Sequence, residues 1–251
     1  DTSSLGYPKV EVAEKRLKLL NPNVTLDSVP LTINAGTAEQ IAKDVDMVID
    51  GLDHFTPRYA LNSACAKLGV PYIFGGAIQA YGNASTVIPR KTACLECMLG
   101  RVSDEGLSTC ETVGVFPQVP TIVASIQARE ALSLMLGKPP SLANKLLFCN
   151  LNSMEFEVFP VVKVPRCSTC GQPIAPPIVE APRVAELCGK NSFRVSPKDA
   201  LSIDMAEAID LLSGKFRIKV RSNVGVTFDY STTISISLMK TGSMLIKGIA
   251  G

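Results

Sequence analysis

The sequence predicts an α/β fold: a Rossmann-like, mostly parallel sheet, stapled by zinc, followed by a small α+β module. Three observations carry this expectation. Between about residues 24 and 80, short apolar runs alternate with helical stretches in units of roughly twenty residues, the pattern of strand–helix–strand crossovers. Two C-x-x-C pairs, "CLEC" (94–97) and the pair inside "RCSTCG" (166–171), supply four thiolates, the number a tetrahedral structural zinc takes. After a proline-rich stretch, "GQPIAPPIVEAP" (171–182), the pattern changes to one helix and a series of short strands.

Taken in order, Pro8 suits a first helical turn, and Val10, Ala13, Leu17 and Leu20 follow at helical spacing until "NPN" breaks the pattern. "VTLDSVPL" (24–31) alternates as a strand does, "TAEQIAKD" reads as a short helix, and "VDMVID" (45–50) is an apolar run ending in an acid. The helix "TPRYALNSACAKLG" then leads to the apolar strand "VPYIFGGAI". "YGNASTVIP" predicts an antiparallel strand, 102–114 a polar loop, about 119–136 a long amphipathic helix, and "KLLFCNLNSMEFEVFPV" one or two strands. Beyond 182, "MAEAIDLLSG" reads as a helix and "FRIKVRS", "GVTFDYS", "TISISLMK" and "SMLIKG" as strands. The expected division is thus 1–171, a linker at 172–182, and a module at 183–251.

Composition narrows the function classes. With 251 residues and 46% apolar content the chain can bury a sizeable core. A net charge of +2 argues against a nucleic-acid binder that relies on a broad basic surface. No run of about 18 apolar residues predicts a membrane span. Eight cysteines in a chain this long do not read as a small secreted disulfide scaffold; metal binding or thiol chemistry in a reducing, cytoplasmic setting is expected. The about 69 residues between Cys97 and Cys167 far exceed the roughly 15–20 of a compact zinc ribbon, so one zinc on Cys94, Cys97, Cys167 and Cys170 would clip together distant parts of the chain. Asp50 and Asp53 stand at the end of a predicted parallel strand, where open α/β sheets bind ligands, although either acid also suits the cap of the following helix. Cys110 lies in the polar loop ahead of the long helix, unlike Cys65 and Cys149, which fall in core patterns.

The order of motifs resembles the MoeB/ThiF family of activating enzymes for ubiquitin-like and sulfur-carrier proteins. The matching features are "GYPKVEVA" (6–13), "DGLDHFTPRYALN" (50–62), the paired C-x-x-C knuckles, "TCETVGV" (109–115) and "QAREAL" (127–132). The resemblance implies adenylation of the C-terminal glycine of a small carrier protein with ATP and magnesium, in a dimeric enzyme. It implies that Lys9 contacts the nucleotide phosphates, that Asp53 holds magnesium, that Arg58 and Asn62 line the nucleotide site, and that Cys110 captures the acyl group. His54, the single histidine, stands where the family usually has asparagine. The family's glycine-rich nucleotide loop has no counterpart here, since no G-x-G-x-x-G occurs in the chain. The expectation is therefore the C-terminal part of an activating enzyme, completed by an N-terminal segment or second chain carrying that loop. Two other readings stand beside it: a non-catalytic zinc-stapled scaffold that binds a ubiquitin-like protein, and a dithiol redox protein.

Overall fold

The computed structural model describes residues 2–171, 184–186, 191–197 and 201–249. The chain gathers into two compact units, Ile33–Glu180 and Asp1–Thr32 with Ala181–Gly251. This grouping follows packing, whereas the sequence division at 171 and 183 follows motif order, and the two part the chain at different places. The linker expected at 172–182 and Cys188 lie outside the described residues.

The 33–180 unit is built on a five-stranded sheet in the order β1-β2-β3-β4-β5. Its strands are β1 (Val48–Ile49), β2 (Tyr72–Ile78), β3 (Tyr81–Val87), β4 (Lys145–Asn150) and β5 (Glu155–Pro160). Only β1 and β2 pair in parallel, Val48 opposite Tyr72 and Ile49 opposite Ile73. The remaining pairs are antiparallel. The sheet is therefore mixed, which corrects the expectation of a mostly parallel one. One β-α-β crossover, between β1 and β2, makes the parallel pair. β2–β3 and β4–β5 are hairpins, which bring antiparallel neighbours, and β3 reaches β4 through a long connection that holds three helices.

That crossover runs through α3 (Phe55–Leu68), packed against the short α2 (Ala38–Ala42). Leu61, Ala64 and Cys65 form the buried stripe of α3. Gly69 ends the helix in the left-handed conformation at φ 78°, its N–H returning to the Cys65 carbonyl, a role glycine fills without steric strain. Tyr72 and Phe74 from β2 complete a core with Ala38, Ala42 and Leu95. The long α6 (Gln118–Met135) lies over β2 and β3. Gly75 admits it: a Cβ there would stand 2.5 Å from the Gln127 amide nitrogen. Between β3 and α6 come α4 (Leu95–Leu99) and α5 (Cys110–Val113), so the expected loop at 102–114 ends in a helical turn.

The other unit carries α1 (Lys9–Leu20), β6 (Val184–Glu186), β7 (Ser192–Val195), α7 (Met205–Ser213), β8 (Arg217–Arg221), β9 (Gly225–Asp229), β10 (Ser235–Met239) and β11 (Met244–Lys247). Its six-stranded sheet is antiparallel, in the order β6-β7-β11-β10-β9-β8. The Asp204 carboxylate accepts from the N–H groups of Ala206 and Glu207 and so caps α7. The alternating segment 24–31 is not a strand. Ser28 there donates its hydroxyl to the Val10 carbonyl and to Glu14, tying the segment to α1, and Pro30 brings no N–H for a ladder.

Candidate functional site

The acidic end of β1 divides into a buried and an exposed half. Asp50 is buried. One carboxylate oxygen accepts from the Leu52 N–H at 2.8 Å and the other from the Tyr72 hydroxyl at 2.7 Å. The Arg58 guanidinium lies 3.4 Å away, itself buried between the rings of Phe74 and Phe55, and donates to the Leu52 carbonyl. Burial pushes the Asp50 carboxyl above its ordinary range, against the pull of Arg58 and the hydrogen bonds from Leu52 and Tyr72. Gln127 of α6 seals this layer by donating to the carbonyls of Asp50 (2.8 Å) and Ile73 (3.0 Å). Asp50 and Arg58 thus fix the turn from β1 into α3.

Asp53 is the exposed half. Its side chain is 74% accessible and pairs with His54 Nδ1 at 2.8 Å. The start of α3 is capped from 49 positions away by Asp104, whose carboxylate accepts from the N–H groups of Phe55 (2.6 Å) and Thr56 (2.9 Å). Burial works against ionisation of Asp104, yet those bonds from Thr56 and Phe55 hold its carboxyl below the ordinary value. Asn62 is buried, its carbonyl oxygen accepting from the Leu95 N–H at 3.0 Å. It therefore joins α3 to α4. Asp50, Asp53, Arg58 and Asn62 gather around the first turns of α3; Lys9, exposed at the start of α1, belongs to the other unit.

Cys110 opens α5, where Thr109 and Thr112 form a reciprocal capping box. Its thiol is half-buried and donates to the Ala77 carbonyl at 3.1 Å. The segment is tied down again just beyond, by Gln79 N–H to the Gly114 carbonyl and Phe116 N–H to the Gln79 carbonyl. The cysteine is thus anchored to the β2–β3 hairpin rather than carried on a free loop. Cys65 and Cys149 are buried as expected, and burial pushes the Cys65 thiol up to about 12.

Cys94, Cys97, Cys167 and Cys170 come together, all four sulfurs within 4.8 Å of one another. The separations are 3.8 Å for Cys94–Cys97, 3.6 Å for Cys94–Cys167 and 3.4 Å for Cys97–Cys170. A tetrahedron with Zn–S bonds of about 2.3 Å has edges of about 3.8 Å, so the donor set fits a zinc ion. The Val164 N–H points at the Cys97 sulfur at 3.3 Å, as amide groups do toward thiolates that hold metal.

Two residues escaped the sequence reading. Gln127 and Glu130 stand on the same stripe of α6 as Val119, Val123 and Ala131 and are buried with them. Glu130 accepts from Thr86 Oγ1 (2.8 Å), the Leu142 N–H (2.8 Å) and the Ser141 N–H (3.1 Å), and pairs with Arg129. The signal was available: two polar residues on an otherwise apolar stripe, within the quoted "QAREAL".

Carboxylates at the carboxyl end of a parallel strand pair and a four-cysteine cluster thus lie in one α/β unit. The profile of the ThiF family matches residues 1–170, and the chain belongs to that family. It is 34% identical over 176 residues to a sulfur carrier protein adenylyltransferase of Thermus thermophilus, covering 68% of this chain and 65% of that protein. Over 249 residues, 96% of this chain and 72% of the other, it is 29% identical to the sulfur carrier protein ThiS adenylyltransferase of Bacillus subtilis. The chain therefore spans about two thirds of the length of these relatives. In fold it is similar to the crystal structure of E. coli MccB, with a TM-score of 0.59 at 21% identity, over 70% of this chain and 53% of that one.

Proposed function

We propose that this chain is the larger part of an ATP-dependent activating enzyme that adenylates the C-terminal glycine of a sulfur-carrier or ubiquitin-like protein. The observation that carries the reading is the split at the end of β1: Asp50 is consumed by the fold, while Asp53 presents its carboxylate at the ligand-binding end of the parallel pair. Membership of the ThiF family and the similarity to sulfur carrier protein adenylyltransferases support it.

In this reaction a carboxylate oxygen of the carrier attacks the α-phosphorus of ATP, and the bond to pyrophosphate breaks. Two anions must approach, so cationic stabilisation is the main requirement. Asp53 would hold magnesium, which supplies that charge when bound, and Lys9 would meet the phosphates. Arg58 supports Asp53 indirectly by fixing the turn beneath it, and Asn62 by fixing α3 against α4. The glycine-rich phosphate loop would come from polypeptide outside these 251 residues. β1 is an edge strand among the described residues, and its Ile49 is 52% exposed, so this edge suits pairing with that polypeptide. Cys110 would then attack the acyl carbon, forming a thioester as AMP leaves. The thiol must first give up its proton and its bond to the Ala77 carbonyl.

The test is ATP–pyrophosphate exchange by an assembly containing a loop-bearing polypeptide and a sulfur-carrier protein. Exchange dependent on both partners supports the reading. Binding of the carrier without any exchange would favour the non-catalytic scaffold. In the same assembly Cys110→Ala should abolish a reductant-sensitive carrier adduct while leaving exchange intact; an adduct that persists would place capture on another thiol.

A further inference from the structure

The four cysteines account for only part of what joins the two knuckles. Each C-x-x-C pair has two residues between its cysteines, and three of these four residues bond across the site as well. Glu96, between Cys94 and Cys97, accepts through Oε1 from the Ser168 hydroxyl at 2.5 Å and through Oε2 from the Thr169 hydroxyl at 2.6 Å. Ser168 and Thr169 are the two residues between Cys167 and Cys170. Arg101 closes the network from the solvent side, donating Nε to Glu96 Oε1 at 3.0 Å and a terminal nitrogen to Ser168 Oγ at 2.9 Å. The Glu96 side chain is 14% exposed, so the carboxylate is partly withdrawn from competing water.

From this we infer that Glu96 is the positioning residue of a metal-independent latch, which holds the 167–170 knuckle against the 94–97 knuckle and preforms the four-thiolate site. Three charge-assisted bonds converge on one carboxylate, and such bonds are roughly twice as strong as neutral ones. With the latch closed, a thiolate that leaves the metal remains within reach of it and rebinds. With the latch open, the loss of one thiolate frees a whole segment of chain. The latch also selects which sulfurs face each other: the cross-knuckle separations Cys97–Cys170 and Cys94–Cys167 are both shorter than Cys94–Cys97 within the first knuckle. This assignment does not depend on the adenylation reading and is tested without any measurement of activity.

The experiment uses the full chain and two readouts. The first is the rate at which a chromophoric chelator removes zinc. Glu96→Ala should release the metal about tenfold faster than the native protein, in line with the loss of other partners behind metal ligands. Ser168→Ala with Thr169→Val should match it, and Glu96→Gln, which keeps an acceptor oxygen, should recover part of the difference. The second readout is the bridging pattern left by dibromobimane on metal-stripped protein, mapped by peptide mass. Native protein should give cross-knuckle bridges, Cys97–Cys170 above all, whereas Glu96→Ala should shift to Cys94–Cys97 and Cys167–Cys170. The inference is overturned if stripped native protein gives only within-knuckle bridges, or if the hydroxyl-deficient variant keeps the native release rate and pattern. Should Glu96→Ala fail to fold, the Ser168/Thr169 variant decides alone, because it leaves the carboxylate and Arg101 in place.

Discussion

Asp50 and Asp53 stand three positions apart at the same strand end and live in opposite surroundings. Beneath the β1–α3 turn, Asp50 is enclosed by Tyr72, Arg58 and the Leu52 N–H, and above it Asp53 faces solvent beside His54. The lower side is enclosed by the fold: the Asp50 and Arg58 charges face each other at 3.4 Å, and Gln127 seals the backbone behind them. The upper side carries carboxylate charge that the fold does not enclose. The difference teaches that burial divides one residue type between two surroundings: Asp50 builds the turn, and Asp53 keeps the exposed carboxylate to which the proposed function assigns the magnesium.

The comparison can be broken first from below. Arg58→Met removes the guanidinium and leaves Asp50 buried without its counter-charge, which should destabilise the protein by about 3–5 kcal/mol. Urea unfolding would show the shift in midpoint at unchanged slope; a change below about 1 kcal/mol would mean that the pair does not hold the turn. A smaller effect is expected from the upper side. Asp104→Ala uncaps α3 and should cost about 1 kcal/mol by the same measurement.

Acidity separates Asp50 from Asp104, because these two carboxyls move in opposite directions. The Asp50 carboxyl is raised in the folded state, so folded protein holds that proton more tightly than unfolded chain does. Its contribution to stability therefore declines as pH rises from about 3.8 through the raised folded value, then levels off. The Asp104 carboxyl is lowered, so its contribution is present above about 3.8 and lost as pH falls through the folded value. Urea midpoints from pH 3 to 7 should show the stability gap between native protein and Asp50→Asn narrowing as pH rises. The gap to Asp104→Asn should narrow as pH falls. Parallel slopes would remove the distinction.

Much of this architecture could be read in the sequence, and the failures have physical causes. α3, β2, α6 and the β8–β11 meander follow hydrophobic periodicity, which reports burial directly. The sulfur cluster followed from spacing, because two C-x-x-C pairs leave few other ways to satisfy four thiols. The segment 24–31 misled because alternation reports a two-sided surface and says nothing of a pairing partner; Ser28 found its partners on α1 instead. Asp104, the cap of α3, was illegible for the converse reason: it acts 49 positions from the helix it serves, and local capping patterns do not reach that far. The anchoring of Cys110 likewise depends on Ala77 and Gln79, which only the folded hairpin brings beside it.

The smallest expected change in stability belongs to the residue with the largest expected change in chemistry. Asp53→Ala removes an exposed side chain and should alter stability by no more than about 0.5 kcal/mol. The measurement that tests the central claim most directly is therefore magnesium-dependent ATP–pyrophosphate exchange by the complete assembly, native against Asp53→Ala, with unfolding midpoints taken on the same preparations. Exchange lower by about a hundredfold or more at an unchanged midpoint is the result expected of a carboxylate that serves the reacting phosphates. Undiminished exchange by a stably folded Asp53→Ala protein would contradict the assignment.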